Sequence, residues 1–348
     1  MQYCGPVASE QTDIDWGIVM NLANVIEGHS DDRRALIDGE IVVTFGELRD
    51  RVSALRSQLA SMGIGRGDSV ALAAGNEVHF ATGALAVLGL GGIVMPVNPQ
   101  SPPAELRLRI DMVQPRLLLV GEDGQGLLGI DDELGVEALD MTTLAAVAAT
   151  DPDPGIVDVE PDDRAFYMAT SGVSGAPKVA ILSHYNLRWV QEAMGQGLDP
   201  MQPEDVTLGC LSFAHIFGLN VVLLYGLRVG SCIVLQRRFD ADESLRLIRE
   251  HGVTVLAGAP PMWQRWAKAD APDDSLSTIR FAASGAAALP LGVFETIRDR
   301  YGVEVAQGYG LTETSPVVTM GRGYAVRPSS VGKVLDGVTV ALVDDNGM

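Results

Sequence analysis

Residues 170–178 read TSGVSGAPK, a run of small, hydroxylated and glycine residues that ends in a lysine. Gly172 and Gly175 leave consecutive backbone N–H groups uncovered, and such a run makes a concavity that binds anions. Thr170, Ser171 and Ser174 add hydroxyl donors, Val173 is the one bulky member, and Lys178 adds a point charge suited to phosphate. The chemistry these types and spacings can do is to grip a polyphosphate. This is not a Walker A loop: the two glycines are too close, and Lys178 is followed by Val179 where that motif needs Ser or Thr. A glycine-serine loop taken alone is more often a plain hairpin, so the reading depends on its companions.

Three further clusters accompany it. Gly308, Tyr309, Gly310, Leu311, Thr312 and Glu313 supply an aromatic face, a hydroxyl and a hard oxygen ligand suited to Mg²⁺. Ser284, Gly285 and Ala286 open a run small enough for close approach of backbone to a ligand. Phe213 and His215 lie in the apolar stretch LSFAHIFG at 211–218, where a lone histidine is more often a satisfied core residue than a catalytic one.

The elements that must carry these residues alternate between strand and helix. A hairpin at 35–37 and 41–44 leads into a helix that opens on a Thr44/Glu47 capping box, buries Leu48, Val52, Leu55, Leu59 and Met62, and stops at Gly63. Strands follow at 69–74, 93–97 and 117–120, with helices at 77–88 and 103–112 between them. An acidic segment, 121–163, reads as a linker. Strands at 165–169 and 179–182 flank the glycine-rich loop. Beyond them come a helix from Ser183 to about 195, strands at 207–211, 231–235, 254–256, 279–284 and 304–306, and helices at 241–251, 261–269 and 291–301. Residues 338–343 (VTVALV) read as a strand followed by a turn at 344–347. Such alternation predicts an α/β fold with parallel sheets covered by helices, and the 284–286 and 308–313 clusters then fall at the carboxyl ends of strands, where open α/β sheets bind ligands.

Composition narrows the classes. The formal net charge of -20 repels nucleic acid and anionic lipid, so a nucleotide must be held by local donors and a bridging cation. Three scattered cysteines make neither a disulfide framework nor a metal site. The apolar run 80–97 is broken by glycines and Pro96, which predicts helix–turn–strand in place of a membrane span, and the first twenty residues show no secretory pattern. A cytoplasmic protein acting on small molecules is the expectation; a homodimer is compatible with it.

TSGVSGAPK, GYGLTET (308–314) and VGKVLDGV (331–338), in this order and spacing, resemble the signatures of the adenylate-forming superfamily: acyl- and aryl-CoA synthetases, firefly luciferase and peptide-synthetase adenylation domains. The likeness spans most of the chain. It implies two α/β subdomains in a layered αβαβα arrangement, at 20–155 and 156–322, then the start of a small β-barrel subdomain at 323–348, with a C-terminal lid domain beyond Met348. It also implies that ATP, Mg²⁺ and coenzyme A serve the reaction. Thr170, Ser171, Gly172, Val173, Ser174, Gly175 and Lys178 would form the loop over the ATP β- and γ-phosphates. Gly285, Ala286, Gln307, Gly308, Tyr309, Gly310 and Leu311 would form the adenine side, with Tyr309 stacked on the base. Thr312 would meet the α-phosphate, Glu313 would hold Mg²⁺, and Phe213, His215, Gly258 and Ser284 would bound the acid. Val173 and Val179 depart from the family pattern, which usually has Ser or Thr and Gly there; a weaker grip on ATP is the expected result.

The implied activity is activation of a carboxylic acid to acyl-AMP, with release of pyrophosphate, and transfer of the acyl group to coenzyme A. No Asp follows Phe213, so an amine-free acid is expected, and the apolar stretch 216–225 favours a fatty acid. A fatty acyl-AMP ligase, an aryl-acid CoA ligase and a luciferase-like oxygenase share these motifs. The short 314–330 connection lacks the insertion typical of the first, which favours a CoA ligase. Ending at Met348 without the lid, this chain is expected to bind nucleotide or acyl-adenylate with little thioester formation. A nucleotide-binding scaffold that has lost its lid is the reading outside the enzyme class.

Overall fold

The computed structural model describes residues 20–144, 153–170 and 178–343. In chain order the elements are β1 (Arg34–Asp38), β2 (Ile41–Thr44), α1 (Phe45–Ser61), β3 (Ser69–Ala73), α2 (Val78–Gly89), β4 (Ile93–Val97), α3 (Pro103–Val113), β5 (Leu117–Val120), α4 (Asp131–Leu134), β6 (Ala138–Asp140) and α5 (Met141–Leu144). They continue with β7 (Arg164–Thr170), β8 (Lys178–Ser183), α6 (His184–Gly195), β9 (Val206–Gly209), a π-helix (Phe217–Leu224), α7 (Tyr225–Val229), β10 (Cys232–Leu235), α8 (Ala241–His251) and β11 (Val255–Gly258). The last are α9 (Pro260–Lys268), β12 (Phe281–Ser284), α10 (Leu291–Tyr301), β13 (Val305–Tyr309), β14 (Thr319–Met320) and β15 (Lys333–Val334).

Local chemistry accounts for the main boundaries. Thr44 caps α1 through a capping box: Glu47 N–H donates to Thr44 Oγ1 at 3.2 Å and Thr44 N–H to Glu47 Oε2 at 2.9 Å. Gly63, at φ +79, lies just past its end; Met62 is the C-cap and is 41% exposed, so the buried face stops at Leu59. Ser183 and Asn186 form a second capping box at the start of α6.

Two sheets result, in the orders β15-β14-β13-β12-β11-β9-β10-β1-β2 and β6-β5-β3-β4-β7-β8. The pairings are parallel except β1–β2, β13–β14, β14–β15 and β7–β8. The fold is α/β, as the alternation predicts. Strand alternation separates the layers. Val70, Leu72, Val94, Leu117 and Leu119 face the large core that contains α1 and α2, while Ala71, Ala73, Met95, Val97, Leu118 and Val120 face α3 through Leu106 and Ile110. Helices α1 and α2 pack on each other, α1 against β1 and β2, and α2 against β3 and β4. Helices α8, α9 and α10 cover the far face of the nine-stranded sheet, with Trp263 and Trp266 fully buried there. The order of layers is therefore helix, sheet, helix, sheet, helix.

Sheet membership crosses the expected boundary near residue 155: β1 and β2 join the nine-stranded sheet, and β7 and β8 the six-stranded one. The expected linker at 121–163 is partly structured, since β6 adds an edge strand to β5. The expected strand at 338–343 does not form; no described segment supplies a hydrogen-bonding partner, and Leu342 is 96% exposed. Residues 323–343 contribute β15, which extends the nine-stranded sheet, and no closed barrel forms among the described residues. The 80–97 run is α2, a turn and β4, and no helix among the described residues is long and apolar enough to cross a membrane.

Candidate active site

A cleft of about 1290 Å³ runs over the face of β9, β11, β12 and β13 and out past their carboxyl ends. Thr207, Val255, Ala257, Phe281, Ala283 and Ala306 form its floor, alternating with Leu256, Ala282 and Val305, which point into the core. The β7–β8 hairpin overhangs it. Thr170 and Lys178 are paired at the top of that hairpin and both line the cleft. Residues 171–177, and with them Ser171, Gly172, Val173, Ser174 and Gly175, lie outside the described residues. Lys178 is exposed and no carboxylate pairs with it among the described residues.

The structure brings Thr170, Lys178, His215, Ser284, Gly285, Ala286, Gln307, Gly308, Tyr309, Gly310, Leu311, Thr312 and Glu313 to this one cleft. The last of these sit on a turn held by its own backbone and by Thr314. Leu311 N–H donates to Thr314 Oγ1 at 2.9 Å, and that hydroxyl reaches the Pro316 carbonyl at 2.9 Å. A Cβ at Gly310 would lie 1.4 Å from the Pro316 carbonyl oxygen, so only glycine allows the two backbone segments to pass. The turn leaves the side chains of Thr312 and Glu313 without a hydrogen bond or ion pair to any described residue. Tyr309 is 51% exposed, its ring free on the cleft wall. Ala286, at φ +71, and Ser315, at φ +66, hold left-handed conformations beside these residues, strain of the kind concentrated at functional sites.

His215 Nδ1 accepts from Phe217 N–H at 3.3 Å. Its ring is reachable from the cleft yet crowded by protein on its other sides, and that desolvation lowers its pKa from the ordinary value, so the imidazole is neutral at pH 7. Glu313 stands alone as a hard ligand, and no cluster of three His, Cys, Asp or Glu side chains occurs among the described residues. One exposed carboxylate suits Mg²⁺, which binds through one or two carboxylates together with phosphate oxygens and waters.

Two expectations, for Phe213 and Gly258, are corrected, and Gln307 proves to have a structural tie as well as its place on the cleft. Phe213 does not face the cleft: it is buried between the sheets against Phe80, with ring centroids 5.4 Å apart. Gly258 lies beneath the wall, where a Cβ would stand 2.7 Å from the Trp266 ring, so its role is packing. Gln307 lines the cleft but its amide is committed, Oε1 accepting from Leu289 N–H at 2.8 Å and Nε2 donating to the Pro328 carbonyl. It holds the 284–289 turn in place.

The sequence reading also missed residues. Asn76 reaches across from the six-stranded sheet, donating to the Gly209 and Leu211 carbonyls at 2.9 Å each and accepting from Phe213 N–H at 3.0 Å, and so positions the loop that bears His215. Asn220, within the π-helix, ties that helix to α6 and to the turn at Ser315. Asn220 is the single polar residue of the apolar run 216–224, the only local sign it gives, and Asn76 precedes Glu77 in a turn that carries no motif. Met194, Met201, Tyr225, Phe281 and Arg322 line the inner cleft and carry no motif.

A family profile described as AMP-binding enzyme matches residues 22–348. The 4-coumarate–CoA ligase 5 of Oryza sativa subsp. japonica is 31% identical over 338 residues, 91% of this chain and 62% of its own length. The 4-coumarate–CoA ligase 3 of the same plant is 30% identical over 340 residues, 90% of this chain and 60% of its own. The chain thus spans about three fifths of the curated relatives it matches. Among solved structures, apo MatB from Rhodopseudomonas palustris superposes with a TM-score of 0.84 at 26% identity, covering 94% of this chain and 67% of that one. The anthranilate CoA ligase AuaEII in complex with anthranoyl-AMP has a TM-score of 0.88 at 21% identity, covering 96% and 68%, a likeness of fold.

Proposed function

The chain belongs to the family of AMP-binding enzymes, and we propose on that footing that it serves the ATP-dependent activation of a carboxylic acid to acyl-AMP, followed by transfer of the acyl group to coenzyme A. The observation that carries this reading is the meeting of Lys178, Ser284–Ala286, Tyr309, Thr312 and Glu313, dispersed over 136 positions of sequence (from 178 to 313, counted inclusively), on one cleft.

In the adenylation step a carboxylate oxygen attacks the α-phosphorus of ATP and the bond to pyrophosphate breaks. The obstacle is bringing one anion onto a polyanion. Lys178 and the hydroxyl of Thr170 would meet phosphate oxygens, and Thr312 would donate to the α-phosphate. The Tyr309 ring offers a stacking face for the base. Glu313 would hold Mg²⁺, which neutralises charge on the phosphates. Neutral His215 can stand beside the attacking carboxylate without tying it up in an ion pair. Within this proposal the chain divides at 20–155, 156–322 and 323–348, the sheets exchanging strands across the first boundary.

The relatives named for 4-coumarate support an aryl acid as substrate. The apolar π-helix, which contributes Phe217, Val221 and Val222 to the wall, supports a fatty acid as the second reading. Pyrophosphate release and acyl-AMP formation, measured over matched aryl and fatty acids, test both. ATP-dependent turnover with an aryl acid is expected; failure of every acid together with failure to bind ATP would overturn the proposal.

A further inference from the structure

The deep end of the cleft is built differently from its mouth. Thr207 on β9, Val255 on β11 and Phe281 on β12 form one register row, Thr207 paired with Val255 and Val255 with Phe281. Ser284 lies three residues further along β12, so this row is about 10 Å below the mouth at 3.3 Å per residue. Met194, Val221, Val222, Ala257 and Ala283 make the wall between them apolar.

At that depth buried polar groups converge with hydrogen-bonding capacity left unused. Thr207 is 1% exposed and its hydroxyl has no hydrogen bond. Arg322 is 5% exposed, lies over the Phe281 ring at 4.2 Å, and neither its Nε nor its Nη2 makes a hydrogen bond. Tyr225, which packs with Met194 and Met201, is close enough to Arg322 for each to perturb the other, and its hydroxyl sits beside the Met201 backbone without closing a hydrogen bond. Buried polar groups in native proteins are paired almost without exception, so three converging on one cavity point to a guest that pairs them.

Charge decides what kind of guest. Arg322 Nε is 3.5 Å from Asp199 Oδ2; Asp199 also takes Arg280 Nη1 at 2.9 Å, and Asp205 takes Arg280 Nε at 2.6 Å. Two guanidinium groups face two carboxylates, a neutral set. A third carboxylate buried there would lack its own counter-charge. We infer that the inner end of this cleft is a subsite for a neutral oxygen, a hydroxyl or carbonyl, carried by the acid at the end remote from its reacting carboxylate. The inference rests on the acid-activating reading above and specifies its substrate: a compact acid with an apolar body about 10 Å long and an oxygen at its tip.

The test uses hydrolysis-resistant acyl-sulfamate analogues of an acyl-adenylate that share one arylpropenoyl body and end in a para hydroxyl, methyl or carboxylate group. Calorimetric binding to this chain is compared with that of sulfamoyl adenosine, which lacks the acyl part. The hydroxyl-tipped analogue is expected to bind roughly tenfold more tightly than the methyl-tipped one, the range of one added buried hydrogen bond. Thr207→Val should bring that ratio close to one, leave sulfamoyl adenosine binding unchanged, and keep or raise the melting temperature, because the hydroxyl it removes has no protein partner. Arg322→Met should also erase the ratio. Equal or tighter binding of the methyl-tipped analogue, tighter binding of the carboxylate-tipped one, or a full ratio in Thr207→Val would each overturn the inference and leave the adenylate-forming reading standing. Failure of sulfamoyl adenosine itself to bind would overturn that reading, and this inference with it.

Discussion

The Asn220 side-chain amide donates to the Ser315 carbonyl at 2.6 Å, joining the π-helix behind His215 to the turn that carries Thr312 and Glu313. The same amide donates to the Leu187 carbonyl at 3.2 Å, and its oxygen accepts from Gln191 Nε2 at 2.7 Å, so three elements meet at one buried side chain. Asn220→Ala would strand Gln191 and two carbonyls. It should cost roughly 1–3 kcal/mol in urea unfolding. Acyl-sulfamate affinity should fall further than this loss of stability explains, since turn and pocket wall are no longer held in register; unchanged affinity in the folded variant would refute the coupling.

The side chains of Lys178 and Glu313 are exposed and bonded to no described residue, so their replacement should leave the fold alone. Lys178→Ala and Glu313→Gln are each expected to lower acid-dependent pyrophosphate release at least tenfold with melting temperatures within a degree or two of the parent, as removal of one aimed charge from a phosphoryl-transfer site does. Unchanged rates in both variants would refute the phosphate and metal assignments.

Glu77 sits at the start of α2, wholly buried, with neither oxygen hydrogen-bonded and Arg237 Nη1 3.7 Å away. Burial and the neighbouring Asp123 push its pKa from 4.5 up to about 7. The folded state therefore binds a proton that the unfolded state releases between pH 4.5 and 7. Stability from this group is present below about pH 4.5 and lost as pH rises through 7. Glu77→Gln should flatten that part of the stability profile and gain up to a few kcal/mol over the parent at pH 8. Parallel profiles of parent and variant in urea titrations from pH 5 to 8 would count against this account.

Gly310→Ala places a methyl group where the Pro316 carbonyl oxygen stands. The turn must open, moving Thr312 and Glu313. Nucleotide-analogue binding should fall at least tenfold, with far-UV circular dichroism unchanged, since the turn lies outside the large core. Retained affinity would show that the turn's shape is dispensable.

Most of the framework was readable from the chain, because local physics sets it. Thr44 and Glu47 announce a helix start, Gly63 its end, and the alternating apolar runs announce a sheet buried on both faces. The β7–β8 hairpin and the 308–314 turn were readable for the same reason: apolar runs broken by closely spaced glycines mark where the chain turns. Met62 was misjudged because periodicity does not register where a helix frays, and 338–343 because strand propensity has no meaning without a partner strand.

What a position faces was decided only by packing. Phe213 and His215 are two residues apart in one apolar run, yet one turns into the core against Phe80 and the other onto the cleft. Gln307 lines the cleft while its amide holds Leu289 and Pro328, a tie that nothing in its local sequence announces. Asn76, Asn220, Thr207 and Arg322 gave almost no local sign, because their partners, or the lack of partners, arise from segments up to 137 positions away. The residues of the chain alone thus carried the class of chemistry, through motifs whose backbone geometry is local. The polar inner end of the cleft came only with the tertiary structure, since a buried group short of hydrogen bonds is a property of everything packed around it.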